Sequence, residues 1–493
     1  MDSGVNRVLV TAMNASCPGT KRRGVVLFIA LFAFTASLIA APPSHPNFIV
    51  VYCDNLGNGD LACFGSKLHR TPHLDRMAAE GMKLTSFYVT SGVCTPSRAS
   101  LMTGCYPRRV NMHVSGSGLS VLRPMDTKGL NPDEETIAEV LKKAGYATAC
   151  IGKWHLGDQP AFLPTRQGFD EFFGLPYSDD MTKDKFPDTW PELPLMRGEE
   201  VIEAPADRDQ LTRRCTEEAV GFITRHKAQP FFLYLPQPMP GSTPNPFSSA
   251  AFKGKSRNGA YGDSIEEIDW SMGEILKTLK ECALDENTLI LWTSDNGAVQ
   301  RTPPQGSNAP YKGFGYNTSE GAMRMPCILR WPSHVPAGSV CDELCTAMDV
   351  LPTFTKLANA TLPTVPLDGH DGSVLWFTTP QTHSAYDDTG FFYYYMQQLQ
   401  AVRAGDWKLY FPLQNKLGNG KQKAAPAPTQ LFDVRHDVGE EHELSAQHPE
   451  VVQSLTSLAE HARAELGDMN KPGSGQRPAG HVDHPVPQLL KVK

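Results

Sequence analysis

No long run of basic residues interrupts this 493-residue chain, and its formal charge is −7. An electrostatic footprint for nucleic acid is therefore excluded. Internal repeats are absent, which sets repeat architectures aside. Long apolar runs are nearly absent too. The one candidate, Gly24 to Ala36, is short for a membrane span, which needs roughly 20 apolar residues. It follows Lys21, Arg22 and Arg23 and ends in Ser37-Leu38-Ile39-Ala40-Ala41. That order reads as an export signal cleaved near Ala40 or Ala41, with an uncleaved anchor as the alternative. Cysteine is sparse, with 11 residues. Export permits disulfides, but spacing does not give their pairing.

Helices alternate with buried strands along the first three quarters of the chain. Asn47 to Tyr52, Ala147 to Ile151, Phe231 to Leu235 and Thr288 to Thr293 are continuous apolar runs of the kind that parallel sheets bury on both faces. Asp133 is expected to cap a helix carrying Ile137, Val140 and Leu141, and Gly145 to close it. Ile265, Ile268, Met272, Ile275 and Leu279 form another helical stripe. Polar clusters recur where the strands end: Asp54-Asn55, Lys153 with His155, and Asp295-Asn296. Open α/β sheets bind ligands outside the carboxyl ends of their strands, so these residues are expected at one rim. After Asp368 the texture changes to short strands, Phe391 to Tyr395, Leu399 to Ala404, Trp407 to Phe411 and Leu431 to Val434, and a closing helix over 450–466. Lys416 to Pro428 is a low-complexity loop.

The most informative stretch is Val93-Cys94-Thr95-Pro96-Ser97-Arg98-Ala99-Ser100-Leu101-Met102-Thr103-Gly104. Pro96 suits the first turn of a helix and Gly104 its end. Free N–H groups and the dipole would then face Cys94 and an oxyanion, with Arg98 adding a fork of donors. Such a setting lowers a thiol pKa. On the residues alone, Cys94 is either a thiol nucleophile or a buried structural cysteine. Asp54, Asn55, Asp295 and Asn296 are hard oxygen donors suited to Ca²⁺ or Mg²⁺, although Asp-Asn pairs also simply start turns.

The C-x-P-S-R and L-x-T-G elements of that stretch resemble the signature of the type I sulfatases. Asp54-Asn55-Leu56-Gly57-Asn58-Gly59-Asp60-Leu61 resembles the family's first metal motif, and Thr293-Ser294-Asp295-Asn296-Gly297 its second. Gly152-Lys153-Trp154-His155-Leu156-Gly157 is similar to its G-K-W-H-L-G segment. The resemblance implies an alkaline-phosphatase-like α/β fold, with a large mixed central sheet flanked by helices and a small C-terminal antiparallel-sheet and helix subdomain. With it, residues 45–375 are the catalytic domain and 385–466 the C-terminal subdomain; the residues themselves mark 1–41 as a signal peptide and the Pro/Gly-rich 467–493 as a mobile tail.

The implied activity is sulfate ester hydrolysis by an exported protein, secreted or periplasmic, or lysosomal in a eukaryote. Cys94 would be converted to formylglycine by a maturation enzyme. Asp54, Asn55, Asp295, Asn296 and the side chain at Cys94 would hold Ca²⁺, with Mg²⁺ as the alternative. Arg98, Lys153 and His155 would serve the sulfated substrate, a small molecule or a glycan. Asn55 stands where the family has aspartate, so weaker cation binding is expected. Gly241 and Gly315 fall where the family has a histidine and a lysine that contact the sulfate. Lys312 and Gln237 are the nearby candidates to replace them. Two other readings stay open: a phosphate or phosphonate ester hydrolase on the same scaffold, and a non-catalytic binder of sulfated glycans.

Overall fold

The computed structural model describes residues 45–378, 382–413 and 428–491. The export signal, and the low-complexity loop apart from Pro428, lie outside the described residues. The four apolar runs form the middle of one large sheet as strands Asn47–Cys53, Ala147–Lys153, Phe231–Leu235 and Thr288–Ser294. Every residue in them is buried. Thr288–Ser294, Asn47–Cys53, Phe231–Leu235 and Ala147–Lys153 lie side by side in that order, all parallel. The edges turn the sheet mixed. Arg324–Arg330 runs antiparallel to Thr288–Ser294 and to Met82–Tyr88, and Leu195–Arg197 runs antiparallel to Glu171–Leu175.

Strand alternation feeds two cores. Phe48, Val50 and Tyr52 point to the face covered by Leu101, Ile137 and Phe354. Ile49 and Val51 point to the face covered by Met77, Leu211, Ile265 and Met272. Each such side chain fully removed from water stabilises the fold by about 1.5–3 kcal/mol. Apolar residues on both faces are therefore what hold the middle strands, and with them the strand ends, in place.

The helix expected behind Asp133 begins later, at Ile137–Lys143, and Asp133 does not cap it. Thr136 takes that place: its hydroxyl accepts from the Glu139 N–H at 3.2 Å and the Glu139 carboxylate accepts from the Thr136 N–H at 2.7 Å. This reciprocal box satisfies two end donors at once, which a lone Asp133 cannot match.

A four-stranded antiparallel sheet follows, Phe391–Tyr395, Gln398–Ala404, Trp407–Tyr410 and Gln430–Asp433, with helix Pro449–Leu466 against it. Buried Glu320 ties it to the large sheet, accepting from Lys408 Nζ at 2.7 Å, from the Tyr393 hydroxyl at 3.1 Å and from the Tyr88 hydroxyl. Burial opposes the charge on Glu320, yet Lys408 and Arg324 win and hold its carboxyl at about 2.

Residues 467–491 do not hang free, contrary to the expected mobile tail. Gly480–His481 pairs with Lys128–Gly129. The guanidinium of Arg477 forks onto Glu134 with both contacts at 2.8 Å. Gln159 exchanges hydrogen bonds with the backbone of Val486. Composition alone reads Pro and Gly as slack, but here the segment finds unpaired strand edges and a buried carboxylate. Among the described residues all ten cysteines carry free thiols. No helix among them is long and apolar enough to cross a membrane.

Candidate active site

The register Cys53 to Ser294 places Asp54 beside Asp295 at the carboxyl ends of two neighbouring strands. Lys153 closes the strand two places away, and helix Cys94–Thr103 points its first residue at this rim. Val93 is its extended N-cap and Gly104, at φ 65°, its left-handed stop. Cys94 is thus the first residue of the helix rather than the one before it.

The rim is dense with charge. Asp54 Oδ1 accepts from Lys153 Nζ at 2.9 Å and from the Cys94 thiol at 3.3 Å. Asp295 Oδ2 accepts from Arg98 Nε at 3.0 Å and Nη2 at 2.6 Å, while Arg98 Nη1 donates to the Lys153 carbonyl at 2.9 Å. Arg98, Lys153, Asp54 and Asp295 are all fully buried. Burial raises the Asp54 carboxyl, but Lys153 and Arg98 bring it down to about 2. The thiol expected to be acidified is instead pushed well up. Burial is the main cause, followed by the carboxylates Asp295 and Asp54, and together they outweigh Lys153, Arg98 and the helix end. As a plain cysteine, Cys94 is not a thiolate.

Asp54, Asn55, Asp295 and Asn296 fit a hard cation. Asp54 Oδ2 and Asn296 Oδ1 are buried and have no hydrogen-bond partner. Asp54, Cys94 and Asp295 offer ligand atoms within 4.8 Å of one another. Buried oxygens without partners are costly, and an oxygen-rich cluster of this kind suits Ca²⁺ or Mg²⁺. Asn55 joins the cluster at φ 61°, its amide held by Asn296 on one side and Ser242 on the other.

His155 lies above the rim. Its Nε2 is 3.0 Å from the Leu122 carbonyl, so that nitrogen carries the hydrogen, and its Nδ1 is buried without a partner. Burial first, then the charge of Lys153, pushes its pKa well below the usual range. The ring is neutral and offers a bare lone pair. A cavity of about 840 Å³ opens over it, lined among others by Cys94, His155, Ser178, Trp190, Ser242 and Tyr316.

Two sequence candidates are not in this cavity. Lys312 Nζ donates to the Glu440 carbonyl at 3.2 Å and faces a second hollow beside the C-terminal sheet. Gln237 is buried, its amide donating to Ser271 on helix Gly259–Glu281. Gly241 and Gly315 do sit at the site. The Gly241 N–H donates to the Asp54 carbonyl at 2.9 Å, and a Cβ on Gly315 would lie 3.1 Å from Asn296 Nδ2.

Three polar residues escaped sequence reasoning. Ser242 and Tyr316 directly follow the two glycines, and their hydroxyls are 2.8 Å apart. A hydroxyl residue after each missing position was the available signal. Asp179 is fully buried with both carboxylate oxygens unpartnered, and burial pushes its carboxyl up to about 8. Only its place in a Pro-Tyr-Ser-Asp-Asp loop marked it.

Family models match two stretches, the Sulfatase family over residues 46–360 and the C-terminal region of aryl-sulfatase over 387–478. The chain is 36% identical to human arylsulfatase A, covering 87% of this chain and 89% of that protein. It is 34% identical to mouse steryl-sulfatase, covering 89% and 87%. Among solved structures, the PsFucS1 sulfatase of Pseudoalteromonas superposes with a TM-score of 0.74 at 27% identity, covering 85% of this chain and 90% of that one.

Proposed function

The chain belongs to the sulfatase family, and from that premise we propose that it is an exported sulfuric ester hydrolase using formylglycine made from Cys94 and a Ca²⁺ ion held by Asp54, Asn55, Asp295 and Asn296. The carrying observation is the buried meeting of Cys94, Asp54, Lys153, Arg98 and Asp295 at three strand ends and one helix start. The converted side chain supplies a hydrated aldehyde as nucleophile, and the bound cation supplies Lewis-acid polarisation of the sulfuryl oxygens.

The chain's own residues do the rest. Arg98 and Lys153 each face one of the two carboxylates, so the metal-free cluster is close to neutral. A divalent cation then leaves it net positive toward an anionic ester. Because these charges are buried and fixed by hydrogen bonds, they need no rearrangement as charge develops on the substrate. His155 Nδ1 is the base that takes a proton from the side chain at position 94 when sulfate is released. Trp190 and Phe186 give the cavity an aromatic wall suited to the body of a sulfated small molecule or glycan. Exposure of Cys94 is only 4%, so the maturation enzyme acts before this segment is packed.

Mass spectrometry of the Cys94 peptide tests the premise: loss of the sulfur is the expected result. Sulfate release from an aryl sulfate should vanish in Cys94→Ala, and release that persists sinks the mechanism. Gly241 and Gly315 favour one other reading, a non-catalytic binder of sulfated glycans. Tight binding without turnover in fully converted protein is the result that would select it.

A further inference from the structure

An alkyl or aryl alcohol leaving a sulfate ester needs a proton, and the charged groups around Cys94 are largely held by other partners. Lys153 turns its ammonium to Asp54 and Ser178, at 2.9 and 3.2 Å. Arg98 is committed to Asp295 and to the Lys153 carbonyl. His155 has its hydrogen on the Leu122 carbonyl and presents a bare lone pair. On the outer wall, Lys185 pairs with Asp180 at 2.7 Å and Arg123 lies over the Trp190 ring.

Of the donors that line the cavity, which include Ser120 and Tyr395, one is tied back to the cluster by a chain of hydrogen bonds. Asn296 Nδ2 donates to Asn55 Oδ1, and Asn55 Nδ2 donates to Ser242 Oγ at 3.0 Å. Ser242 Oγ lies 2.8 Å from the Tyr316 hydroxyl. Either hydroxyl can donate across that contact; in the arrangement that leaves the phenol O–H for the cavity, Ser242 accepts from Asn55 and gives its own hydrogen to Tyr316. Tyr316 holds φ 76°, a conformation few non-glycine residues adopt, and its N–H is fixed on the Gly92 carbonyl at 2.8 Å. Gly241 and Gly315 directly precede the pair in the chain.

We propose that Tyr316 donates the proton to the departing alcohol, with Ser242 as its positioning residue; this rests on the sulfate ester reading above. Sulfur gains a bond to the nucleophilic oxygen at position 94 as its bond to the alcohol oxygen breaks. The electron pair of the broken bond goes to the alcohol oxygen, and the phenol hydrogen follows onto it. Tyr316 is left as a phenolate held by the Ser242 hydroxyl, and water reprotonates it.

Tyr316→Phe keeps the ring and removes the donor. Its kcat/KM should fall on the order of 100-fold for phenyl sulfate, whose leaving group needs the proton, and less than about tenfold for 4-nitrophenyl sulfate, whose leaving group does not. Ser242→Ala should show the same direction with a smaller gap. In the Cys94→Ala protein, which does not turn over, Tyr316→Phe should weaken phenyl sulfate binding about three- to tenfold, read by calorimetry. Equal losses on both esters, or unchanged binding, overturn the assignment and leave the sulfatase reading standing. Fully converted wild-type protein that hydrolyses neither ester overturns both.

Discussion

Lys153 sets its ammonium 2.9 Å from Asp54 Oδ1, the oxygen that also receives the Cys94 thiol. One carboxylate oxygen thus joins the nucleophile position to a fully buried cation. Lys153→Met should lower kcat for an aryl sulfate by on the order of 10²–10³. It should also destabilise the fold by about 3–5 kcal/mol, because Asp54 loses a buried partner. Steady-state kinetics and denaturant unfolding measure the two. An activity loss smaller than tenfold would remove Lys153 from the chemistry.

Asn55 replaces a negative charge with an amide that binds in two directions. Asn55→Asp should tighten Ca²⁺ binding by about tenfold or more, since affinity follows the charge of the ligand set. Chelator competition reads this directly. The same change removes the N–H that donates to Ser242. Turnover of phenyl sulfate should therefore not rise with affinity.

Reading these residues in the sequence succeeded where backbone geometry alone decides position. A strand end has one place to go, so Asp54, Lys153 and Asp295 meet wherever parallel neighbours share a register. The helix start at Cys94 followed from Pro96 and Gly104 in the same way. Side-chain direction in loops was not legible. Lys312 is three residues from Gly315, yet its long stem turns to Glu440, a contact made only because the C-terminal sheet packs there. Gln237 follows a strand end, but alternation turns it to helix Gly259–Glu281. Ser242 and Tyr316 lie in loops more than 70 residues apart, |i−j| = 74, and meet only in three dimensions.

Asp179 predicts a pH effect. Its carboxyl titrates near 8 in the folded chain and near 4 when unfolded. Between those values the native state keeps a proton that the unfolded chain has lost. Stability from this group is complete below about pH 4 and falls as pH rises toward 8. Asp179→Asn removes that slope. The stability difference between variant and parent should grow in favour of the variant by on the order of 3 kcal/mol from pH 5 to pH 8. Parallel stability curves would show that Asp179 has an ordinary pKa.

Arg477 and Glu134 test the strap formed by residues 467–491. Glu134 is buried, and both its oxygens take the Arg477 guanidinium. Arg477→Ala should cost on the order of 3 kcal/mol by leaving that carboxylate without its partner. Unfolding by denaturant measures it, and limited proteolysis should show earlier cleavage after residue 466. A neutral result would mean that the strap lies on the surface without supporting it.

The strap also fixes an order of events in synthesis. Arg477 emerges 343 residues after Glu134, and Gly480 long after the Lys128–Gly129 edge it covers. A chain growing from its first residue packs its early parts first. Here one early carboxylate and one early strand edge stay open until the last tenth of the chain arrives. Any stall in translation before that point leaves the Lys128–Gly129 backbone without its only strand partner among the described residues, and unpaired extended backbone is what recruits other chains. Arg477 and Gly480–His481 thus act as a closing stitch, and their arrival ends the period in which the nascent protein can aggregate through that stretch.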